Sequence, residues 1–182
     1  MPLYRDEAAL VARAKQFDRA AIAELYRRYV QRIYRYVYYR VGDESTAEDL
    51  TAEVFLRALE GLESYSYRGV PFVAWLYRIA QARVADYHRR WGRRGETLPL
   101  DEKLVGMDDD LATFAEHREA YEDLYTALQQ LTEEQQQVIA LKFLAGLKNA
   151  EVAYVLGKTE GAVKALQHRA LASLQRILGE DE

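Results

Sequence analysis

The chain predicts an all-α fold, built as two small helical domains joined by a flexible linker, and three observations carry that prediction. Helix breakers are sparse, with 10 glycines and 3 prolines in 182 residues, and runs of β-branched residues are absent. Apolar residues recur at helical spacing over most of the length. Capping residues stand at the ends of those periodic segments. With 49% of residues hydrophobic there is enough apolar surface for real cores.

Each element follows from its own residues. A weak helix is predicted over residues 6–15. Asp18 caps a long helix reaching Val41, with Ile22, Leu25, Tyr29, Ile33, Tyr36 and Val37 on its buried stripe, and Gly42 ends it. Ser45 and Glu48 form a capping box that opens a second helix carrying Leu50, Val54, Phe55, Ala58 and Leu59, closed by Gly61. After the loop SYSYRGV, Pro71 fits the first turn of a helix running to Trp91. These elements make a first domain over 1–92. Residues 93–115, with glycines, a proline and Asp108–Asp110, read as an acidic flexible linker. Helical period returns at Tyr121, Leu124, Tyr125, Leu128 and Leu131. Thr132 and Gln135 form a capping box for the helix carrying Val138, Ile139, Leu141, Lys142 and Leu144, and Gly146 closes it.

The second domain, 116–182, ends in LKNAEVAYVLGKTEGAVKALQHRAL (147–171), two helices broken by a glycine-bearing turn. Gly157 can end the first helix in the left-handed conformation, and Thr159 can cap the second. Val163, Leu166, Ala170 and Leu174 share one face. Gly161, Lys164, Ala165, His168 and Arg169 point the other way. A helix with small residues near its start and cations beyond is shaped for a major groove, so the segment is a candidate DNA-binding helix-turn-helix rather than a solvated helical hairpin. Thr159 and the amides beside it can hold a phosphate.

A net charge of −4 argues only superficially against a nucleic-acid partner. From Tyr77 to Arg94 six arginines stand against Asp86 alone. From Leu141 to Leu178 six cations stand against Glu151 and Glu160. Between them, residues 95–119 hold eight acids and two bases. Two basic patches flank an acidic connector, the pattern of a bipartite binder. The first patch is interleaved with rings: Tyr65, Tyr67, Phe72, Trp75, Tyr77, Tyr87 and Trp91 lie among Arg68 and those six arginines. Rings replace the stacking that an unpaired base has lost, and arginines neutralise phosphates. Phe72, Trp75, Leu76 and Ile79 form one helical stripe and read mostly as core, whereas Tyr65 and Tyr67, beside Arg68 and Gly69, are harder to explain by packing.

Other classes find little support. His88, His117 and His168 are far apart and form no metal-ligand spacing. No phosphate-cradling glycine loop or nucleophile elbow occurs, so no enzyme activity, metal or cofactor is expected. Asp108–Asp110 read as a solvated linker run. The absence of cysteine fits a reducing compartment. No apolar run approaches membrane-spanning length, and the N-terminus lacks a signal peptide's apolar core, so a cytoplasmic protein without membrane insertion is expected.

AEDLTAEVFLRAL (47–59), PFVAWLYRIAQARVADYHRR (71–90) and LTEEQQQVIALKFLAGLKNAEVAYVLGKTEGAVKALQHRAL (131–171) together resemble a family. It is the extracytoplasmic-function, or group IV, RNA polymerase sigma factors; EGAVKALQHRAL and YRYVYYRVGD resemble its developmental actinobacterial-like subgroup. The resemblance implies a bacterial subunit directing core RNA polymerase to promoters. Asp49, Glu53 and Leu59 match positions that dock on the polymerase clamp. Residues 63–71 match the loop that captures an extruded minus-ten base; Tyr65, Tyr67, Arg68 and Trp75 are its candidates. Arg78, Arg83, Tyr87 and Arg90 would follow the melted strand and the upstream duplex edge. Lys164, His168 and Arg169, with Thr159, Gly161 and Ala165, would meet the minus-thirty-five duplex. An anti-sigma factor is the implied regulator.

Three positions depart from the pattern: Ala52 where many members carry Gln, Lys148 where Ser or Thr usually caps, leaving Asn149 to take over, and Phe17 where Gly is common. The alternative is a helix-turn-helix regulator acting without polymerase, which leaves the Tyr65–Arg94 segment unexplained.

Overall fold

The computed structural model describes residues 2–92 and 118–179, and among them every regular element is helical. The linker expected at 93–115, with Arg93, Arg94 and Asp108–Asp110, lies outside the described residues, as does His117. The first lobe comprises α1 (Pro2–Lys15), α2 (Arg19–Val41), α3 (Glu44–Gly61), a 3-10 turn (Leu62–Ser64) and α4 (Phe72–Trp91). The second comprises α5 (Arg118–Gln129), α6 (Glu133–Ile139), a π-helical turn (Ala140–Leu144), α7 (Asn149–Leu156) and α8 (Glu160–Gly179).

Several caps are those the residues call for. The Asp18 carboxylate accepts from the Ala20 and Ala21 amides, and Gly42 ends α2 at φ 79°. Thr132 and Gln135 exchange both bonds of their capping box. Other ends differ from expectation. The cap of α3 is Asp43, which accepts from the amide and hydroxyl of Thr46, so Ser45 lies inside the helix. A carboxylate outcompetes a hydroxyl for an amide, because the bond is charge-assisted. Gly61 is the last residue of α3, as expected, but at φ −92° it leads into the 3-10 turn instead of taking the left-handed conformation, and a Cβ there would stand 3.3 Å from the Trp75 ring. Pro71 is the N-cap of α4, one residue before the expected place. Lys148, not Asn149, is the N-cap of α7, and its amide donates to the Glu151 carboxylate at 2.8 Å.

The core is continuous across both lobes. Ile33, Tyr36 and Val37 of α2, Val54 of α3 and Leu76, Tyr77 and Val84 of α4 join Leu141, Val152 and Val163 of the second lobe in one buried cluster. A smaller cluster of Ala127, Leu131, Ile139, Ala170 and Leu174 holds α5, α6 and α8 together. The lobes are therefore closed on each other, with α4 against α7 and α2 against the π-helical turn.

Polar groups complete that contact. The Arg40 side chain is 1% exposed and its guanidinium lies 3.4 Å from Glu133, across the lobe boundary. It also donates to Tyr36 Oη at 3.2 Å and Gln81 Oε1 at 3.1 Å. His88 Nε2 donates to the Arg40 carbonyl at 3.1 Å, and Arg32 donates to the Ala145 carbonyl at 3.1 Å.

Phe17 sits at φ 59° with 79% of its surface exposed, as the left-handed residue that ends α1. The Asp18 amide bonds Arg13 O at 3.2 Å and the Phe17 amide bonds Ala14 O at 2.9 Å, the two bonds of a glycine-type helix end. A β-carbon there costs about 1–2 kcal/mol. Phe17→Gly is expected to stabilise the chain by about 1 kcal/mol after the added unfolded-state entropy, raising Tm by about 2–4 °C. A calorimetric scan checks it.

Candidate nucleic-acid interface

The second lobe presents its groove-sized helix as the residues require. Gly157 takes φ 63° and ψ 34° after α7, and the Lys158 amide closes the turn onto Ala153 O at 2.9 Å. Thr159 Oγ1 accepts from the Ala162 amide at 3.1 Å, leaving its hydroxyl proton to donate outward. Val163, Leu166, Ala170 and Leu174 are buried under α8. Gly161, Lys164, Ala165, His168 and Arg169 are all exposed on the opposite face. Lys158 is tied to Glu134 at 2.8 Å and holds that carboxyl below its usual range, with a smaller contribution from Arg169.

The first lobe gathers rings at the start of α4. The Tyr65 ring lies 4.8 Å from Trp75 and 5.3 Å from Phe72, so packing accounts for much of Tyr65 and for Trp75. Tyr67, by contrast, is 64% exposed, and Arg68 is exposed with Nε donating to Ser66 Oγ. Lys15 of α1 donates to the Tyr65 carbonyl and so ties the loop to the first helix. Beneath the loop is a pocket of about 360 Å³, lined by Glu7, Val11, Lys15, Tyr65, Tyr67 and Phe72 among others. Sequence reasoning found its aromatic wall but not Glu7 or Lys15. Their only signal was an i, i+8 placement on the α1 face that turns out to look into the loop.

The arginines of α4 divide. Arg90 is exposed at the helix end. Arg83 is committed to acids, 2.7 Å from Asp86 and 3.3 Å from Glu53 of α3. Arg78 lies 4.8 Å above the Tyr154 ring of α7, a cation–π contact that crosses the lobe boundary. Tyr87 is half-buried beside His88.

On α3, Asp49 is exposed and Leu59 is 44% exposed, whereas Glu53 is half-buried and turned to Arg83. Beside them stand Leu56, 57% exposed, and Tyr26, 47% exposed, two residues that sequence reasoning missed. Tyr26, with Leu59, Ile22, Leu25 and Phe55, lines an apolar groove. Leu56 was findable, since it precedes Leu59 by three residues and cannot face the core with Val54 and Ala58. No described helix is long and apolar enough to cross a membrane, and no acidic, histidine or cysteine cluster among the described residues could hold a metal.

A capped helix-turn-helix with an exposed cationic face is the arrangement of a DNA-binding protein. Residues 25–94 match the Sigma-70 region 2 family model and residues 121–174 match the Sigma-70, region 4 model. The ECF RNA polymerase sigma factor BldN of Streptomyces coelicolor is 41% identical over 177 residues, covering 94% of this chain and 66% of that protein. The ECF RNA polymerase sigma factor SigD of Mycobacterium tuberculosis is 35% identical, covering 92% of this chain and 81% of that protein. The fold is that of CnrH, solved in complex with the cytosolic domain of CnrY, at TM-score 0.71 and 24% identity, covering 97% of this chain and 99% of that one. The chain belongs to the extracytoplasmic-function RNA polymerase sigma factors and is a sigma factor directing RNA polymerase to promoters.

The latch between the lobes is testable. Glu133→Lys sets a second cation against buried Arg40, so the attraction at the lobe boundary becomes a repulsion, softened by the exposure of position 133. The variant is expected to keep wild-type helicity but to show a larger radius of gyration by small-angle X-ray scattering.

Proposed function

We propose that the chain divides promoter recognition between its lobes and performs no catalysis of its own. Residues 1–92 dock on core RNA polymerase and open the minus-ten element. Residues 93–115 connect, and 116–182 anchor the minus-thirty-five duplex. The observation that carries this is the exposed face of α8. Gly161 and Ala165 let the helix approach base edges, while Lys164, His168 and Arg169 reach edges and phosphates beside the Thr159 hydroxyl.

In the first lobe, Tyr67, Arg68 and the pocket beside Tyr65 receive an extruded base of the melted strand. Extrusion costs a few kcal/mol, which a ring-walled pocket offsets. Trp75 supports the pocket from behind. Tyr87, Arg90 and, once the lobes separate, Arg78 follow the strand. Arg83 is held in place by Glu53 and Asp86, so Glu53 acts on the docking face mainly through Arg83. Asp49 and Leu59, joined by Leu56, form the direct contact with polymerase. The same apolar face is available to an anti-sigma factor, whose binding would compete with polymerase. A cytoplasmic location follows from these partners.

Two measurements test the reading. Purified chain should bind bacterial core RNA polymerase stoichiometrically, and Asp49→Arg with Leu59→Ser should abolish that binding; wild-type chain left unbound would overturn the assignment. Lys164→Ala with Arg169→Ala should lower the slope of log affinity against log salt for upstream duplex by about 2, since each phosphate contact contributes roughly 0.9.

A further inference from the structure

The pocket beneath the Tyr65–Gly69 loop has a polar end that stacking does not use. Glu7 lines it, and the residue is only 9% exposed. Among the described residues its carboxylate accepts the Tyr29 hydroxyl alone, a single bond to a group with about four acceptor sites. A charge so placed favours any ligand that brings further N–H donors. Burial first, then the Glu7 bond, push the Tyr29 hydroxyl up, so it stays protonated as that donor. Burial first and the Glu7 charge second push the Tyr65 hydroxyl up to about 12, so it too remains a donor near the carboxylate. Glu7 and Tyr65 both line the pocket, so it offers a carboxylate acceptor and a hydroxyl donor. Lys15, two helical turns or about 12 Å further along α1, sets a positive charge at the other end, where the sugar–phosphate of an inserted nucleotide would lie.

The bases differ sharply against such a pattern. An extruded base turns its Watson–Crick edge to the pocket wall. Guanine alone presents two adjacent donors there, N1–H and the N2 amine, followed by an acceptor, O6. The two donors match a carboxylate and O6 matches a hydroxyl. Cytosine and adenine present one amine next to a bare ring nitrogen, which would face the second carboxylate oxygen. Thymine presents one N–H between two carbonyls.

We infer that Glu7 is a specificity-determining residue, and that the pocket selects guanine at the extruded position of the non-template strand. This rests on the base-capture reading of the loop. A misplaced base forfeits a bidentate pair, so discrimination of about 5- to 150-fold is expected.

The test uses the full chain assembled with core RNA polymerase. A duplex pool randomised over the upstream promoter region is selected for run-off transcription, and the winning sequence is then scanned with single abasic sites on the non-template strand. One minus-ten position should be both intolerant of an abasic site and fixed as guanine. Inosine there, which lacks only the N2 amine, should cost the wild-type chain at least fivefold. Glu7→Gln keeps the Tyr29 bond but offers one acceptor and one donor, and should lose most of the preference for guanine over inosine. An abasic site tolerated everywhere would overturn base capture and this inference together. A sensitive position that is not guanine, or that accepts inosine at full activity in the wild type, overturns the role of Glu7 alone. The inosine comparison uses the wild-type chain, so the test stands even if Glu7→Gln folds poorly.

Discussion

Everything in this molecule is arranged around the double duty of α4. Phe72, Val73, Ala74, Leu76, Tyr77, Ala80 and Val84 are all buried along that helix. A surface helix needs an apolar stripe of roughly 100°; α4 has more, because it packs on α2 and α3 on one side and on α7 on the other. Only a narrow strip remains for polar residues, and the arginines of the basic patch must share it. That is why their positions differ so much in character: Arg83 is drawn toward α3, Arg78 toward α7, and Arg89 and Arg90 stand free of the packed faces at the helix end.

The same constraint separates the two basic patches by how ready their charges are. On α8 the cations Lys164 and Arg169 stand exposed above a completed core face, so phosphates meet them at little reorganisation cost. In the first lobe, binding a strand is an exchange: Arg83 has Asp86 and Glu53 as partners already, and Arg89 has Asp86. Partly exposed pairs of this kind contribute little to stability, so a phosphate can displace a carboxylate without unfolding anything. Under the proposed division of labour, duplex anchoring is thus the pre-organised step and strand capture the conditional one.

Sequence periodicity made the helices legible because each buried face is regular, and the helix-turn-helix most of all. Gly157, Thr159 and the stripe Val163, Leu166, Ala170 and Leu174 all do locally what their chemistry requires. Helix ends were less legible where two candidate caps stood close together. Asp43 prevailed over Ser45, and the backbone of Lys148, served by Glu151, over Asn149. Phe17 is the reverse case, where the unusual residue was noticed and the strained φ explains it. The candidate site was legible in its rings and cations but not in Glu7, Lys15 or Tyr154. Those residues reach it from α1 and α7 only because of how the helices pack, and no spacing along the chain encodes that.

The closed arrangement of the lobes then acquires a physical meaning. Arg78 cannot both stack on Tyr154 and take the strand contact proposed for it, so that role requires one contact to be exchanged for the other. The exchange is feasible because of what the boundary is made of. Arg40 is buried against Glu133, and taking such a charge from water offsets most of what the pair contributes. Separation returns both groups to water, where Tyr36 and Gln81 still hold the guanidinium from its own lobe. The apolar part of the contact, chiefly α4 against α7, opposes opening together with the Arg78–Tyr154 stack and the Arg32–Ala145 bond, and the apolar cost scales with the area exposed. A boundary of apolar residues alone would be harder to part; one with an ion pair at its edge, buried on the Arg40 side and open to water on the Glu133 side, keeps its register while closed and can still come apart.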